Sequence, residues 1–299
     1  KTKVHYSIET NATLLTNDVI EELYKNHIGI GISIDGDRKC HDLQRTFVSG
    51  KGSYDTVKKN LLQAQRYYKN KIGTITTITK QTAVHIEKII EHLVLDLHIS
   101  NIKLNFVHAS TYTHGQNQCL NTQEIADTEL RILYKIIELQ ERGYDVMEHN
   151  IFIKLKNLLF REYADICLSC GCCGGKKMIV FDMDGNIYPC ELTDDASFVI
   201  GSIYKKESLI EQIKMTIDKD KAFFKMKKAV ECEKCYWKFF CRGGCTVRAL
   251  SEKRQMEVID IDHIECAINQ VLYPALMELV LRKPHIVNQM LGEDLLVDE

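Results

Sequence analysis

Cys232-Glu233-Lys234-Cys235-Tyr236-Trp237-Lys238-Phe239-Phe240-Cys241-Arg242-Gly243-Gly244-Cys245 is a run of Cys-x2-Cys-x5-Cys-x3-Cys. Upstream stand Cys167, Cys170, Cys172 and Cys173, then Gly185-x4-Cys190; downstream stands Cys266. Only Cys40 and Cys119, of twelve cysteines, lie outside this region. A tight turn brings the two thiols of a Cys-x2-Cys pair to one side, so several such groups can converge on one centre.

Three chemistries compete for these thiols. Disulfide frameworks belong to small secreted domains; this chain of 299 residues is long enough for a proper core and opens on Lys1-Thr2-Lys3-Val4-His5, without an apolar signal segment. Tetrahedral zinc uses four or eight thiols in near-symmetric knuckles, which these irregular spacings do not make. Iron–sulfur ligation takes four thiolates per 4Fe–4S cluster, often from distant parts of the chain, and suits the pattern best.

Composition narrows the class. A net charge of −2 and no Lys/Arg stripe interleaved with aromatics argue against nucleic acid. No apolar run is expected to reach the twenty or so residues of a membrane span. Many cysteines without a secretion signal point to a reducing cytoplasm. Three prolines and 16 glycines argue against a long disordered linker.

The first half alternates strand and helix patterns. Val4 to Thr10, Ile28 to Ile34, Gly73 to Thr79 and Ile102 to Val107 read as strands. Between them, helical spacing follows Thr16, Ser53 and His85, and a long amphipathic helix runs from Thr122 to Arg142. Asp35 to Gly52 reads as a polar loop. Such alternation implies βαβ units and a parallel sheet, either doubly wound or part of a barrel. Beyond Gly175, Met178 to Phe181 and Asn186 to Tyr188 predict a hairpin around Asp184-Gly185 that presents Cys190. Lys205 to Val230 reads as two polar helices and Asp262 to Arg282 as a final one carrying Cys266, with the tail from Gly292 frayed.

The cysteine spacing with Gly185 resembles the SPASM domain, the C-terminal extension of radical SAM enzymes that modify peptides and proteins. The resemblance implies two auxiliary 4Fe–4S clusters. By position, Cys172, Cys190 and Cys245 serve the first with one more of Cys167, Cys170 or Cys173, or with an iron left open for a substrate thiolate. Cys232, Cys235, Cys241 and Cys266 serve the second. Glu191 stands where sulfatase-maturing members carry an Asp that acts as base; its bland alternative is a surface Glu.

The first half extends the likeness. Ser33-Ile34-Asp35-Gly36, His41-Asp42-x2-Arg45 and Gly50-Lys51-Gly52-Ser53-Tyr54 resemble the middle of a radical SAM barrel, and Thr10 to Leu15 its third strand and exit. The expected fold class is therefore α/β: the C-terminal part of a partial (β/α)6 barrel, residues 1–150, then a Cys-rich SPASM domain with a small hairpin and helices, residues 151–299. Ser33 and Asp35 would meet the S-adenosyl-L-methionine ribose at a strand's C-terminal end, where α/β ligand sites gather; otherwise they end the strand in a turn. Arg45 would fork onto that cofactor's carboxylate, or pair with Asp42. Asn11 and Asn105 would touch it, or be satisfied core amides. His41, His108 and His114 are read mainly as satisfied or solvated side chains. Tyr236, Trp237, Phe239 and Phe240 are read as packing that keeps water from the clusters.

The Cys-x3-Cys-x2-Cys that holds the radical SAM cluster in this family is not in the sequence, and the chain reads as a fragment from about the third strand. The resemblance implies a maturase that abstracts hydrogen from a residue of a Cys-rich or other peptide, with an electron donor such as ferredoxin or flavodoxin. Thioether formation is the favoured outcome and formylglycine formation the alternative. A non-catalytic iron–sulfur electron-transfer module is the rival class.

Overall fold

In the computed structural model the described residues are 3–108, 116–160, 167, 172–175, 177–193, 196–219, 230–253 and 261–292. The chain divides into two compact units: Lys1–Val107 with Asp127–Lys154 and Ala275–Glu299, and His108–Ala126 with Leu155–Pro274.

The first unit is built on a five-stranded parallel sheet: β1 (Ser7–Thr10), β2 (Gly29–Ser33), β3 (Gly73–Ile78), β4 (Asn101–Phe106) and β5 (Met147–Glu148). The strands lie side by side in chain order. Sequential parallel order winds the sheet one way, as in a barrel, and a doubly wound sheet would reverse it. The helices between the strands are α1 (Asn17–Lys25), α2 (Arg38–Gln44), α3 (Tyr54–Tyr68), α4 (Lys80–Ala83), α5 (Ile86–Glu91) with a π-helical turn His92–Asp96, and α6 (Thr122–Glu141); α7 (His149–Phe160) follows β5.

Burial alternates along β2, β3 and β4. Ile30, Ile32, Thr74, Thr76, Ile78, Ile102, Leu104 and Phe106 are buried, and on α3 Val57, Leu61 and Ala64 are buried too. The alternate positions form the less buried face. Register places Ser33 beside Ile75, Ile75 beside Lys103, and Thr77 beside Asn105. β-branched residues fill this sheet because stiff branched side chains pack well on a pleated surface. Lys135 of α6 is almost buried and is neutralised by Glu91 at 2.8 Å and Glu138 at 2.6 Å.

Four of these strands fall where sequence periodicity puts them. Three features differ. The polar loop Asp35 to Gly52 contains α2, capped by the Asp37 side chain on the Cys40 N–H at 2.9 Å. β5 and the first turns of α7, to Lys154, extend the unit beyond the expected elements. The expected helix after His85 starts at Ile86 and ends in the π turn.

In the second unit β6 (Val180–Phe181), β7 (Asn186–Tyr188) and β8 (Gly201–Ser202) form an antiparallel sheet. The first two are the expected hairpin and β8 is an addition. Gly185 has φ +77°, and a Cβ there would meet Ile203 and Tyr204 at 2.7 Å, so only glycine fits this turn. Helices Leu209–Lys219, Val230–Glu233, Lys238–Cys241 and Thr246–Lys253 follow. The helix His263–Arg282 carries Cys266 but is not the last; Pro284–Leu291 comes after it. Residues 220–229 of the second expected polar helix, and the tail 293–299, lie outside the described residues.

Against the expectation of no membrane-length run, His263–Arg282 is long and apolar enough to cross a bilayer by length and composition. Leu272, Tyr273, Leu276 and Leu279 on it are buried in the protein, and it carries Glu265, Glu278 and Arg282. That mixture is what a core helix also shows.

Candidate cysteine and sheet-end sites

Two thiol neighbourhoods form in the second unit. Cys190 follows β7 and its Sγ accepts the Leu192 N–H at 3.3 Å. Burial pushes its thiol up to about 11; the Leu192 N–H opposes the rise, and Cys245, Glu191 and Cys172 add to it by charge repulsion. Around Cys266 burial again comes first, followed by Cys232 and Cys235. The Gln270 side chain donates to the Cys235 sulfur at 3.7 Å. Cys172 and Cys245 are thus electrostatic neighbours of Cys190, and Cys232 and Cys235 of Cys266.

The backbone explains the grouping. The Cys235 N–H donates to the Cys232 carbonyl at 3.3 Å, closing the Cys-x2-Cys turn. Cys241 ends the short helix Lys238–Cys241, and the positive φ of Arg242, Gly243 and Gly244 reverses the chain before Cys245. A Cβ on Gly244 would meet Asp262 at 2.7 Å. That close approach requires glycine in the Cys-x3-Cys segment.

Cys173 is fully buried. Cys170 lies outside the described residues. Cys167 is half-buried, as is Cys241. Among the described residues no group of three or more His, Cys, Asp or Glu converges closely enough to hold a metal ion. A single zinc needs its thiolates at about 2.3 Å from one point. A four-iron cluster takes one thiolate per iron and accepts a wider spread. All-sulfur donor sets suit either centre. Glu191 is exposed and stands beside Cys190.

The aromatic run between the cysteines splits. Trp237 stacks on Tyr273 at 5.2 Å and Phe240 packs on the same ring at 5.5 Å. Asn157 donates to the Tyr273 hydroxyl and to the Phe240 carbonyl, both at 3.1 Å. Tyr236 and Phe239 are 94% and 71% exposed, so the packing role expected of all four fails for these two. The short helix turns 237 and 240 one way and 236 and 239 the other.

At the sheet's C-terminal end in the first unit, Asp35 is buried and fully engaged. It accepts Arg45 Nε at 2.6 Å, Gln44 Nε2 at 2.9 Å and the Thr77 N–H at 2.8 Å. Arg45 is thus in an ion pair, but with Asp35 and not with Asp42. Asp42 instead accepts the Tyr54 N–H at 2.8 Å, at the start of α3. His41 is a satisfied core residue: it accepts the Asp35 N–H at 3.2 Å and meets Ser53 Oγ at 3.0 Å, and burial lowers its pKa. Ser53 donates to the Arg45 carbonyl at 2.9 Å and does not cap α3. Asn11 is exposed and its Oδ1 binds the Thr13 N–H and hydroxyl. Ser33 and Asn105 lie on the less buried face of the sheet. His108 is half-buried; His114 lies outside the described residues.

Sequence reading missed Glu148. Its carboxylate accepts the Leu104 N–H at 3.0 Å and the Ile151 N–H at 2.8 Å, and burial raises its pKa to about 7 despite those bonds. A strand of two residues left no periodic signal for it.

No protein-family model matches the chain. A cysteine-type anaerobic sulfatase-maturating enzyme of Clostridium novyi is 26% identical over 245 residues, 81% of this chain and 64% of that protein. One from Clostridium perfringens strain 13 is 23% identical over 249 residues, 81% of this chain and 65% of its own length. A serine-type anaerobic sulfatase-maturating enzyme of Bacteroides thetaiotaomicron is 24% identical over 254 residues, 80% and 60% of the two chains. This chain therefore spans less than two thirds of the length of these relatives. Among solved structures, anSMEcpe with bound AdoMet has a TM-score of 0.81 at 20% identity, covering 96% of this chain and 75% of that one. Streptococcus suis SuiB with S-adenosylmethionine has a TM-score of 0.61 at 17% identity, covering 86% and 59%. In sequence this chain is similar to the anaerobic sulfatase-maturating enzymes, and its α/β fold is similar to that of anSMEcpe and SuiB.

Proposed function

We propose that this chain is the greater part of a radical SAM maturase acting on a residue of a peptide or protein, with two auxiliary 4Fe–4S clusters. The observation that carries the reading is the sorting of thiols into a Cys172/Cys190/Cys245 set and a Cys232/Cys235/Cys266 set. Cys241 completes the second by position. One of Cys167, Cys170 or Cys173 completes the first, or its fourth place takes a substrate thiolate. When bound, S-adenosyl-L-methionine with its own iron–sulfur cluster supplies a 5′-deoxyadenosyl radical. This chain's residues then have three tasks. Ser33 and Asn105, on the less buried face, and Asn11, at a strand exit, bind the cofactor. Asp35 holds Arg45 beside that end of the sheet so that the guanidinium meets an anionic group without new ordering. Glu191, exposed beside Cys190, takes the substrate proton.

The favoured outcome is a thioether link in a Cys-rich peptide: the carbon would give a hydrogen atom to the 5′-deoxyadenosyl radical, the thiol would give its proton to Glu191, and the remaining electron would pass to an auxiliary cluster as the C–S bond forms. A ferredoxin- or flavodoxin-like donor would supply the electron in the cytoplasm. The sulfatase-maturating relatives favour a second reading, oxidation of a Cys or Ser to formylglycine. The test is anaerobic reconstitution with iron and sulfide counting. Turnover is assayed on a chain that also carries the family's Cys-x3-Cys-x2-Cys, incubated with S-adenosyl-L-methionine, dithionite and a Cys-containing peptide, and the products are read by mass spectrometry. About eight iron per chain supports two clusters. A peptide lighter by two hydrogens with sulfur retained supports the thioether. A peptide that has lost sulfur for a carbonyl supports formylglycine. Zinc in place of iron overturns both.

A further inference from the structure

Asp262 is 1% exposed and sits between the two thiol sets. Its Oδ2 accepts the Cys245 N–H at 2.7 Å. Its main-chain carbonyl accepts the Cys266 N–H at 2.9 Å, and its Oδ1 takes the Glu265 N–H at 3.2 Å, capping the helix that carries Cys266. One residue therefore fixes the backbone of a cysteine from each set. The approach is tight, since Gly244 leaves no room for a Cβ against the Asp262 side chain.

Among the described residues the carboxylate's counter-ion is Arg248. Arg248 donates Nε at 3.0 Å and Nη2 at 2.7 Å to Oδ2. The same guanidinium reaches Glu265 at 3.3 Å, and Asn269 donates to that Glu at 3.1 Å. Arg248 sits one helical turn beyond Cys245, on Thr246–Lys253. Burying this cation costs desolvation, which the two carboxylates and the Cys245 sulfur offset.

We propose that Asp262, with Arg248 as its counter-ion, is a positioning residue that ties Cys245 to Cys266 and sets the charge felt by the centre at Cys245. This rests on the iron–sulfur reading above. The two residues have separable effects. Removing the Asp262 charge leaves Arg248 uncompensated beside Cys245, which favours the reduced, more negative centre. Removing the Arg248 charge does the opposite. A merely structural role would move both variants the same way, toward lost iron.

The experiment uses the full chain, reconstituted anaerobically, as wild type, Asp262→Asn, Arg248→Gln and Arg248→Lys. Asn keeps an oxygen for the Cys245 N–H, and Lys keeps the charge. Redox titration followed by electron paramagnetic resonance is expected to show one centre shifted up in Asp262→Asn and down in Arg248→Gln. Each shift should be about tenfold in the reduced-to-oxidised ratio, about 59 mV for a one-electron couple. The other centre should stay unchanged and Arg248→Lys should lie near wild type. Shifts of one sign in both variants, or none, overturn the proposal.

A second readout does not need iron. In the reduced, metal-free chain, Asp262→Ala should raise iodoacetamide labelling of Cys245 about tenfold relative to Cys119, because its N–H loses the carboxylate, while Cys266, whose N–H keeps the main-chain carbonyl of residue 262, should change less. Unchanged labelling overturns the tie between the two cysteines. A wild type that takes up no iron overturns the cluster reading alone, and the labelling result then decides the tie.

Discussion

The two units are held together by different means. The sheet unit buries Ile20, Ile32, Leu61, Ile78, Ile89, Ile90, Leu93 and Leu97 almost completely. In the Cys-rich unit the buried apolar residues among those described are fewer, chiefly Leu120, Ile125, Leu155, Ile187, Ile200, Val247, Ala249, Leu272 and Tyr273. It relies instead on glycines at positive φ and on polar ties such as Asp262 to Arg248. Apolar burial specifies a fold without any ligand, at about 25 cal/mol for each Å² removed from water. A unit with a thin core depends on what its thiols bind. The contrast predicts that substitutions in the first unit are read as stability and those in the second as iron content.

The largest expected effect is on the sheet unit. Leu61→Ala empties a fully buried position on α3, and should cost about 2–5 kcal/mol in urea unfolding while iron per folded chain stays at the wild-type value. Lost iron at that stability cost would show that the units are not independent in the way the contrast requires.

Glu148 comes next and gives the sheet unit a pH signature. Its folded pKa of about 7 lies above the ordinary carboxylate value of 4.5. Between those values the folded state holds a proton that the unfolded state has released, so stability falls as pH rises from about 4.5 to 7. The contribution is fully present below that window and lost above it, at about 3 kcal/mol. Urea midpoints across this range should fall more steeply in wild type than in Glu148→Gln. Parallel slopes would remove the carboxylate from the account.

How much of this was legible in the sequence follows the same division. β1 to β4 and the helices between them could be read because each carries an apolar period set by burial, as in Gly29 to Ser33 and Gly73 to Ile78. Short elements could not: α2 has seven residues without an apolar stripe, and β5 and β8 have two residues each. Partner choice was also hidden. Arg45 finds Asp35 and not Asp42 because Tyr54 N–H has taken Asp42, a contact made across an intervening turn. In the Cys-rich unit, spacing announced the thiols, and the resemblance sorted them. Which sulfurs become neighbours depends on tertiary ties such as Asp262 that leave no local pattern.

A matched pair of glycines sharpens the comparison. Gly36 has φ +99° and a Cβ there would meet Ile89 at 2.7 Å; Gly185 has φ +77° and the same 2.7 Å clash with Ile203 and Tyr204. Each change to Ala should cost about 1–3 kcal/mol in its own unit. Gly36→Ala is expected to lower the urea midpoint with iron retained. Gly185→Ala, five positions before Cys190, is expected to lower iron per chain after reconstitution. Matching outcomes for the two variants would break the contrast.

The smallest effect belongs to Tyr236. Its ring is 94% exposed while the adjacent Trp237 stacks on Tyr273, so neighbours in sequence have opposite environments. A side chain in water that makes no packing contact contributes little on removal, and Tyr236→Ser should change stability by no more than about 0.5 kcal/mol. Trp237→Ser should cost clearly more, because it opens the cluster that Phe240 and Tyr273 close. Iron content should follow the same order, unchanged for the first and reduced for the second. A loss of iron in Tyr236→Ser at unchanged stability would show that an exposed ring beside Cys235 takes part in holding the centre. The aromatic run would then belong to the site and not to the core, and the sparse packing of this unit would be a consequence of what it binds.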